Sequence, residues 1–91
     1  MDLEELRALL AVADTGSFLT AAKSLRLSRA TLRRRIDQLE ARAGVLLVDR
    51  TRVGVSLTTA GSVLAARGRL MVQEVNALIQ SVREVGTEPS G

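Results

Sequence analysis

Arginines placed at helical spacing are the residues in this sequence whose type and spacing could do chemistry. Eight arginines lie between residues 26 and 52 against three carboxylates, so this part of the chain carries a net charge of +5. Residues 1–14 carry a net charge of −3. Guanidinium groups bind phosphates and, through paired hydrogen bonds, the base edges of nucleic acids. The concentration of positive charge therefore predicts a nucleic-acid surface in the middle of the chain.

Residues for other kinds of chemistry are scarce. The 91 residues include no cysteine and no histidine, which removes thiolate nucleophiles and the commonest general base and metal ligand. Two carboxylate pairs, Glu4 with Glu5 and Asp37 with Glu40, are interpreted as solvated helix charges, and no glycine-rich phosphate loop occurs. We expect no catalytic residue, no metal site and no cofactor, and the protein is interpreted as not being an enzyme.

The stretch from Ser17 to Glu40 must position the arginines, and its apolar pattern predicts two helices joined by a tight turn. Ser17 and Ser28 stand where a side-chain oxygen can cap a helix. The apolar residues follow helical spacing on both sides of Leu27, which lies in the turn: Phe18, Ala21, Ala22 and Leu25 before it, then Leu32, Ile36 and Leu39 after it.

The outward face of the second predicted helix carries the charge. Ala30, Arg34 and Asp37 point away from the core, with Arg33 and Thr31 on the flanks. This arrangement fits a helix-turn-helix whose second helix enters a DNA major groove by its N-terminal half. The alternative is an αα-hairpin whose basic face is simply exposed to solvent, as runs of charged residues usually are.

Elements on both sides complete a small domain. Residues 2–13 form a predicted helix that Asp2 caps, and Gly16 ends that segment. The second helix of the pair runs to about Ala43, before Gly44. The apolar run 45–48, a polar turn at 49–54 and alternation over 55–57 predict two short strands forming a wing. An irregular loop without strands is the alternative.

A long C-terminal helix is predicted from Thr58 or Thr59 to about Val85. The helix has more apolar surface than so small a domain can cover. We therefore expect part of this surface to pack against a second copy of the chain. A helix folded wholly onto its own domain is the alternative, and Gly61 and Gly68 partly favour it. After Gly86 the sequence is interpreted as a flexible end. The predicted dimer seam consists of Leu64, Met71, Val75, Leu78, Val82 and Val85.

Targeting signals are not evident in the sequence. The acidic start has no basic n-region, and no apolar run approaches the length that spans a bilayer. We expect no membrane partner and a cytoplasmic soluble protein.

Several motifs in register resemble the N-terminal DNA-binding domain of LysR-type transcriptional regulators. They are GSFLTAAKSL, Ser28, Leu32, IDQLE, AGV, DRT and LTTAG, and the likeness runs without gaps over about residues 1–85. The resemblance implies a mainly α winged helix-turn-helix, three helices plus a two-stranded wing, followed by a linker helix that dimerises antiparallel with its partner's. Such regulators normally continue into a two-lobed effector-binding domain, for which 91 residues leave no room. We expect either an excised piece or a truncated natural chain.

This sequence departs from the family at the start of the recognition helix. The family usually has Ser-Gln-Pro-Ala-Leu-Ser, and here Ser-Arg-Ala-Thr-Leu-Arg occupies residues 28–33. Arg29 and Arg33 thus replace shorter polar residues, and the proline at position 30 is missing. Three consecutive arginines at 33–35 predict higher phosphate affinity and a base preference shifted toward guanine. Val48 replaces the family's usual Phe, and Arg52 stands alone near the wing tip.

The resulting assignment is a winged helix-turn-helix over residues 1–58 (the helix-turn-helix itself about 18–37), a linker helix over 59–85 and a flexible tail over 86–91. We expect sequence-specific binding of double-stranded DNA, at an inverted-repeat operator, by a homodimer joined through the linker helix. An effector molecule is expected only if a C-terminal domain exists. A protein-interaction module, kept for its dimerising helix, is the rival interpretation.

Individual DNA contacts follow from the helix wheel and from the resemblance. Arg50 is interpreted as equally well structural or DNA-bound. The expected base readers are Arg29, Ala30, Arg33 and Arg34. The other expected DNA contacts are Ser17, Thr20, Ser28, Thr31 and Arg35, chiefly on phosphates, and Arg52 on the minor groove or adjacent backbone.

Overall fold

The computed structural model describes residues 1–87, which form four helices and one β-hairpin. The elements are α1 (Leu3–Thr15), α2 (Phe18–Ser24), α3 (Arg29–Ala43), β1 (Val48–Thr51), β2 (Gly54–Leu57) and α4 (Thr59–Thr87). The mainly α, winged helix-turn-helix architecture with a long C-terminal helix is confirmed. None of the helices in this part of the chain has an apolar stretch long enough to cross a membrane.

Local hydrogen bonds set the helix ends where the sequence predicts them. Asp2 and Glu5 form a capping box at α1, and the side chains of Ser17 and Ser28 accept from the backbone N–H groups that begin α2 and α3. Gly16 and Gly44 adopt left-handed conformations, with φ of 67° and 73°, at the ends of α1 and α3. These conformations suit glycine because it has no Cβ.

The core lies where α1, α2 and α3 meet. Leu9, Leu32 and Ile36 are fully buried, and Ala21 is small enough to let the helices of the pair cross closely. Leu32 and Ile36, two of the apolar residues at helical spacing in the sequence, therefore belong to the core. Between α2 and α3, Arg26 has a φ of 57° and makes the sharp turn.

The hairpin begins later than the apolar run suggests. Val45 and Leu46 are 50% and 67% exposed, and the first strand starts only at Val48. The carboxylate of Glu40 accepts hydrogen bonds from the N–H groups of Leu47 (2.7 Å) and Val48 (3.3 Å), so the chain folds back against α3 before it pairs. The antiparallel register runs from Val48 opposite Leu57 to Thr51 opposite Gly54, which leaves residues 52 and 53 as the turn.

Two of the four carboxylates interpreted as solvated are engaged by the fold, and that interpretation was wrong for them. Glu5 is only 2% exposed, completes the capping box and pairs with Arg42 at 3.3 Å. Glu40 holds the start of the hairpin, as described above. Glu4 and Asp37 stay exposed, as interpreted, and each forms an ion pair described below.

The long helix α4 divides into two parts. Thr58 caps its start by accepting from the N–H of Gly61 at 3.0 Å. Gly61 lies against the Leu47 backbone and Gly68 against the Leu6 side chain, each too close for a Cβ. Beyond Val72, which still packs against the core, the helix leaves the domain, and the chain extends over 61 × 24 × 18 Å. The helix includes residues 86 and 87, which the sequence interpretation assigned to the tail, and residues 88–91 lie outside the described part.

Candidate nucleic-acid interface

An open groove of about 880 Å³ lies between the start of α2, the N-terminal half of α3 and the hairpin. Three elements form it because Val55 N–H donates to the carbonyl oxygen of Gly16 at 3.2 Å, which holds the hairpin against the α1–α2 turn. A Cβ at Gly54 would lie 3.0 Å from that same carbonyl oxygen. The lining residues are Gly16, Ser17, Phe18, Leu19, Arg29, Ala30, Arg33, Arg50, Thr51, Arg52, Val53, Gly54 and Val55.

The groove brings together half of the residues that the sequence singled out for DNA binding. Ser17, Arg29, Ala30, Arg33 and Arg52 line it. The other five lie beside it or behind it. They are Thr20 on the exposed side of α2, then Ser28, Thr31, Arg34 and Arg35 on α3 or at its start.

Two of these flanking residues are bonded to each other. Ser28 Oγ donates to Thr31 Oγ1 at 2.9 Å and accepts from the N–H of Thr31 at 3.1 Å. Likewise Ser17 Oγ accepts from the N–H of Thr20 at 3.2 Å. The serines therefore act first as helix caps, and each hydroxyl retains part of its hydrogen-bonding capacity for a ligand.

The arginines of residues 1–58, the winged part of the molecule, fall into two classes. Arg35, Arg42 and Arg50 pair with Glu4, Glu5 and Asp37 at 3.3–3.4 Å. Among residues 1–87 no carboxylate lies within ion-pair distance of the members of the second class, which are Arg7, Arg26, Arg29, Arg33, Arg34 and Arg52. The second class includes every arginine that lines the groove except Arg50.

The N-terminus of α3 is electrostatically open. Its first turn contains no acidic residue, whereas the first turn of α1 contains Glu4 and Glu5. The positive end of a helix macrodipole normally attracts carboxylates and disfavours arginines. In α3 the dipole adds to Arg29 and Arg33, so the groove presents an uncompensated positive field suited to a polyanion.

Comparison with known sequences identifies the family. The description "Bacterial regulatory helix-turn-helix protein, lysR family" belongs to a family model that matches residues 3–62. The chain belongs to the LysR family. The resemblance inferred from the sequence motifs is thereby confirmed.

Curated LysR-family relatives match nearly the whole chain. The HTH-type transcriptional regulator PtxR of Pseudomonas aeruginosa is 36% identical over 91 residues, which is 100% of this chain and 29% of PtxR. The HTH-type transcriptional activator AllS of Salmonella typhimurium is 40% identical over 84 residues, 92% of this chain and 27% of AllS. The chain thus spans less than a third of the length of these relatives.

Solved structures of LysR-family proteins have the same fold. The BenM_DBD/catB site 1 DNA complex has a TM-score of 0.93 at 26% identity, covering 99% of this chain and 100% of that chain. The CbnR_DBD-DNA complex has a TM-score of 0.87 at 30% identity, covering 94% and 99%. In both cases the protein chain is covered almost completely.

In this LysR-family domain Arg35 and Arg50 face other protein groups. Arg35 Nη1 lies 3.3 Å from Glu4 Oε2, which ties α3 to α1. Arg50 lies with its guanidinium carbon 5.1 Å from the centre of the Phe18 ring and pairs with Asp37 at 3.4 Å. Arg50 thereby joins the hairpin to both helices of the helix-turn-helix.

Sequence reasoning missed two apolar residues of the groove. Leu19 is 48% exposed in the first turn of α2, and Val53 is 98% exposed at the hairpin tip. The position of Val53 was readable from the pattern Arg-Val-Gly in a predicted turn, because an apolar residue in an exposed turn has no core to reach.

The predicted dimer seam is only partly free. Leu64 is half-buried against the core of its own chain, together with Val72. The residues that remain more than half exposed are Met71 (57%), Leu78 (62%), Val82 (64%) and Val85 (73%), and Val75 is intermediate.

Proposed function

We propose that this chain binds double-stranded DNA sequence-specifically, as the DNA-binding part of a bacterial transcriptional regulator. The observation that carries the proposal is the groove, where arginines without carboxylate partners in the described chain line the N-terminal half of α3 beside a hairpin. Membership in the LysR family and the likeness to DNA-bound domains support it. Because the relatives are transcriptional regulators, we propose a non-enzymatic role, acting on chromosomal DNA in the cytoplasm.

In the proposed complex the N-terminal half of α3 enters the major groove. Ala30 and Arg34 then face base edges, because they lie on the side of α3 turned away from the buried Leu32. Arg29 and Arg33 are exposed on the flank that lines the groove, from which their long side chains reach the same base edges. The hairpin lines the same protein groove as α3, so Arg52 reaches the DNA backbone or the minor groove next to the bound major groove.

Phosphate contacts come from the rim of the groove. The hydroxyls of Ser17, Thr20, Ser28 and Thr31 are available at the starts of α2 and α3. Arg35 contributes a phosphate contact only by exchanging Glu4 for the phosphate, so its expected share is smaller than that of an unpaired arginine.

We propose that α4 makes a symmetric dimer. Its 29 residues extend about 43 Å, and the exposed seam from Met71 to Val85 lies beyond the winged domain. A two-fold interface would place two recognition helices about 34 Å apart on one side of the duplex, which requires an inverted-repeat operator.

Single arginine substitutions test the DNA surface. Arg34→Ala should weaken binding to the selected operator by roughly 1–3 kcal/mol and relax one base position. Arg35→Ala should weaken operator and random duplex alike, with a salt slope flatter by at most about one unit. Arg83→Ala, which removes a charge from the distal part of α4, is the matched control and should change neither affinity. Equal losses at operator and random duplex in both α3 variants would overturn the division into base readers and phosphate contacts.

A charge placed in the seam tests the dimer. Leu78→Glu should sediment as a folded monomer and lose most preference for operator over random duplex, because a single recognition helix reads few base pairs. Gln73→Glu adds the same charge about 140° away around the helix and should remain dimeric. If Leu78→Glu stays dimeric, or if the monomer keeps full preference, α4 has no part in specificity.

A further inference from the structure

Arg29 and Arg33 form a pair on one face of α3 inside the groove. They lie four residues apart, which places them about 40° apart around the helix and about 6 Å apart along its axis. Both are exposed, both line the groove, and Ala30 lies on the same stretch with only a methyl group. The backbone of α3 can therefore approach a ligand closely between two long cationic side chains.

Helix stability does not account for this pair. Like charges at this spacing destabilise a helix, and a cation in the first turn opposes the macrodipole. The first turn of α3 contains no acidic residue, and residues 1–87 supply neither arginine with an ion-pair partner. Arg35, Arg42 and Arg50 each have a carboxylate, so the fold supplies partners to some of its arginines but not to this pair. Two arginines kept unpaired at a place that disfavours them point to an acceptor outside the chain.

The shape of the guanidinium group selects that acceptor. Its planar fork donates two parallel hydrogen bonds, and in the DNA major groove only guanine presents two adjacent acceptors, O6 and N7. Adenine presents N7 beside an amino donor, which leaves one arginine donor facing another donor. An arginine at a base edge therefore prefers guanine, and the spacing of the two arginines sets the spacing of the two guanines.

Resting on the proposed function, we propose that each half-site of the operator contains two guanines, one or two base pairs apart, read by Arg29 and Arg33. The separation follows from about 6 Å along α3 against about 3.4 Å per base pair. The pair defines the sequence class of the ligand as a guanine-bearing duplex, and Arg34 and Arg52 supply neighbouring contacts.

Selection from a pool of randomised duplexes, with the full 91-residue chain, tests this assignment. The wild type should enrich half-sites with two guanines at the stated spacing. Arg29→Gln should replace one guanine by adenine, because glutamine pairs with adenine N6 and N7, and Arg33→Gln should replace the other. Each variant should lose about 5- to 150-fold affinity for the wild-type site, a factor that corresponds to one bidentate pair.

Two further variants keep the outcome interpretable. Arg33→Lys retains a donor for guanine O6 and N7 and should keep the guanine with weaker binding. Arg83→Gln removes a charge outside the groove and should leave the selected sequence unchanged. All variants change exposed residues, and circular dichroism would verify that each keeps its helices.

The possible failures separate the two proposals. Selected half-sites without guanines, or guanines that persist unchanged in both glutamine variants, would overturn the assignment of Arg29 and Arg33 while leaving DNA binding intact. A chain that binds no duplex in a salt-dependent manner, and enriches no sequence, would overturn the proposed function itself.

Discussion

The winged part of the molecule and the distal half of α4 treat their apolar side chains in opposite ways. In the winged part Leu9, Leu32 and Ile36 are fully buried. In the distal half of α4, Leu78 and Val82 are 62% and 64% exposed, although the two regions contain similar aliphatic residues. One region completes its own core, and the other presents a seam that only a second surface can cover.

Polar groups show the same contrast. Glu40 binds two backbone N–H groups at the start of the hairpin, and Glu5 is buried in a capping box and an ion pair. In the distal half, Glu84 accepts one long hydrogen bond, 3.4 Å, from the exposed Gln80 of the same helix. Polar side chains in the winged part fix the tertiary structure, whereas the distal hydrogen bonds found within residues 1–87 stay inside α4.

The two regions meet where α4 leaves α1. Arg69 donates two hydrogen bonds to the Asp14 carboxylate, at 2.7 and 3.3 Å, one turn before the half-buried Val72. The hydrogen bond to Asp14 raises the pKa of Arg69 above its ordinary value. This ion pair is the last polar contact between α4 and the winged part within the described residues.

The largest expected difference comes from two isoleucines. Ile36→Ala should lower the free energy of unfolding by roughly 2–5 kcal/mol, because Ile36 is fully buried. Ile79→Ala, at a residue that is 47% exposed, should change it by less than about 0.5 kcal/mol. Urea unfolding at a concentration where the protein sediments as a monomer measures both. Similar losses for the two variants would show that the distal helix belongs to the same cooperative core.

Two glutamates should sharpen the comparison. Glu40→Ala should cost about 1.5–3 kcal/mol, since it removes the charged acceptor of the Leu47 and Val48 N–H groups. Glu84→Ala should leave the unfolding curve unchanged. Thermal and urea unfolding of both variants provide the measurement, and a neutral Glu40→Ala would mean that water replaces the carboxylate without loss.

Two glycines provide a smaller contrast. A Cβ at Gly61 would lie 2.0 Å from the Leu47 carbonyl oxygen, so Gly61→Ala must displace α4 and should cost about 1–3 kcal/mol. At Gly86 a Cβ would meet nothing within 4 Å, and alanine favours the helix, so Gly86→Ala should be neutral or slightly stabilising. If both substitutions behave alike, α4 does not approach the loop before the hairpin closely.

The smallest effect is expected at the junction. Arg69→Met should lower the midpoint of thermal unfolding slightly at low salt and not at 1 M NaCl, because this ion pair is exposed and salt screens it. Arg83 has no ion pair in the described chain. The unfolding midpoint of Arg83→Met should therefore not differ from that of the wild type at either salt concentration. A loss at Arg69 that persists at high salt would indicate a packing role for its aliphatic stem.

Prediction from sequence succeeded where the determining contacts are local. Asp2, Ser17, Ser28 and Gly44 mark helix ends through hydrogen bonds within three or four residues, so the residue types alone identify them. The strand boundary was not readable in this way. The apolar run 45–48 resembles a strand, but the acceptor that holds Leu47 and Val48 lies on the preceding helix.

The sequence by itself determined the helix-turn-helix, the long α4 and the concentration of arginines, because helical periodicity and charge are properties of neighbouring residues. Only the tertiary structure decided which arginines remain open to a ligand. Arg35 meets Glu4 from 31 residues away, whereas Arg29 and Arg33 meet no carboxylate in residues 1–87. It also decided that Leu64 packs against its own domain while Leu78 stays exposed. A periodic pattern shows that a face is apolar, but which surface covers that face depends on where distant parts of the chain come to lie.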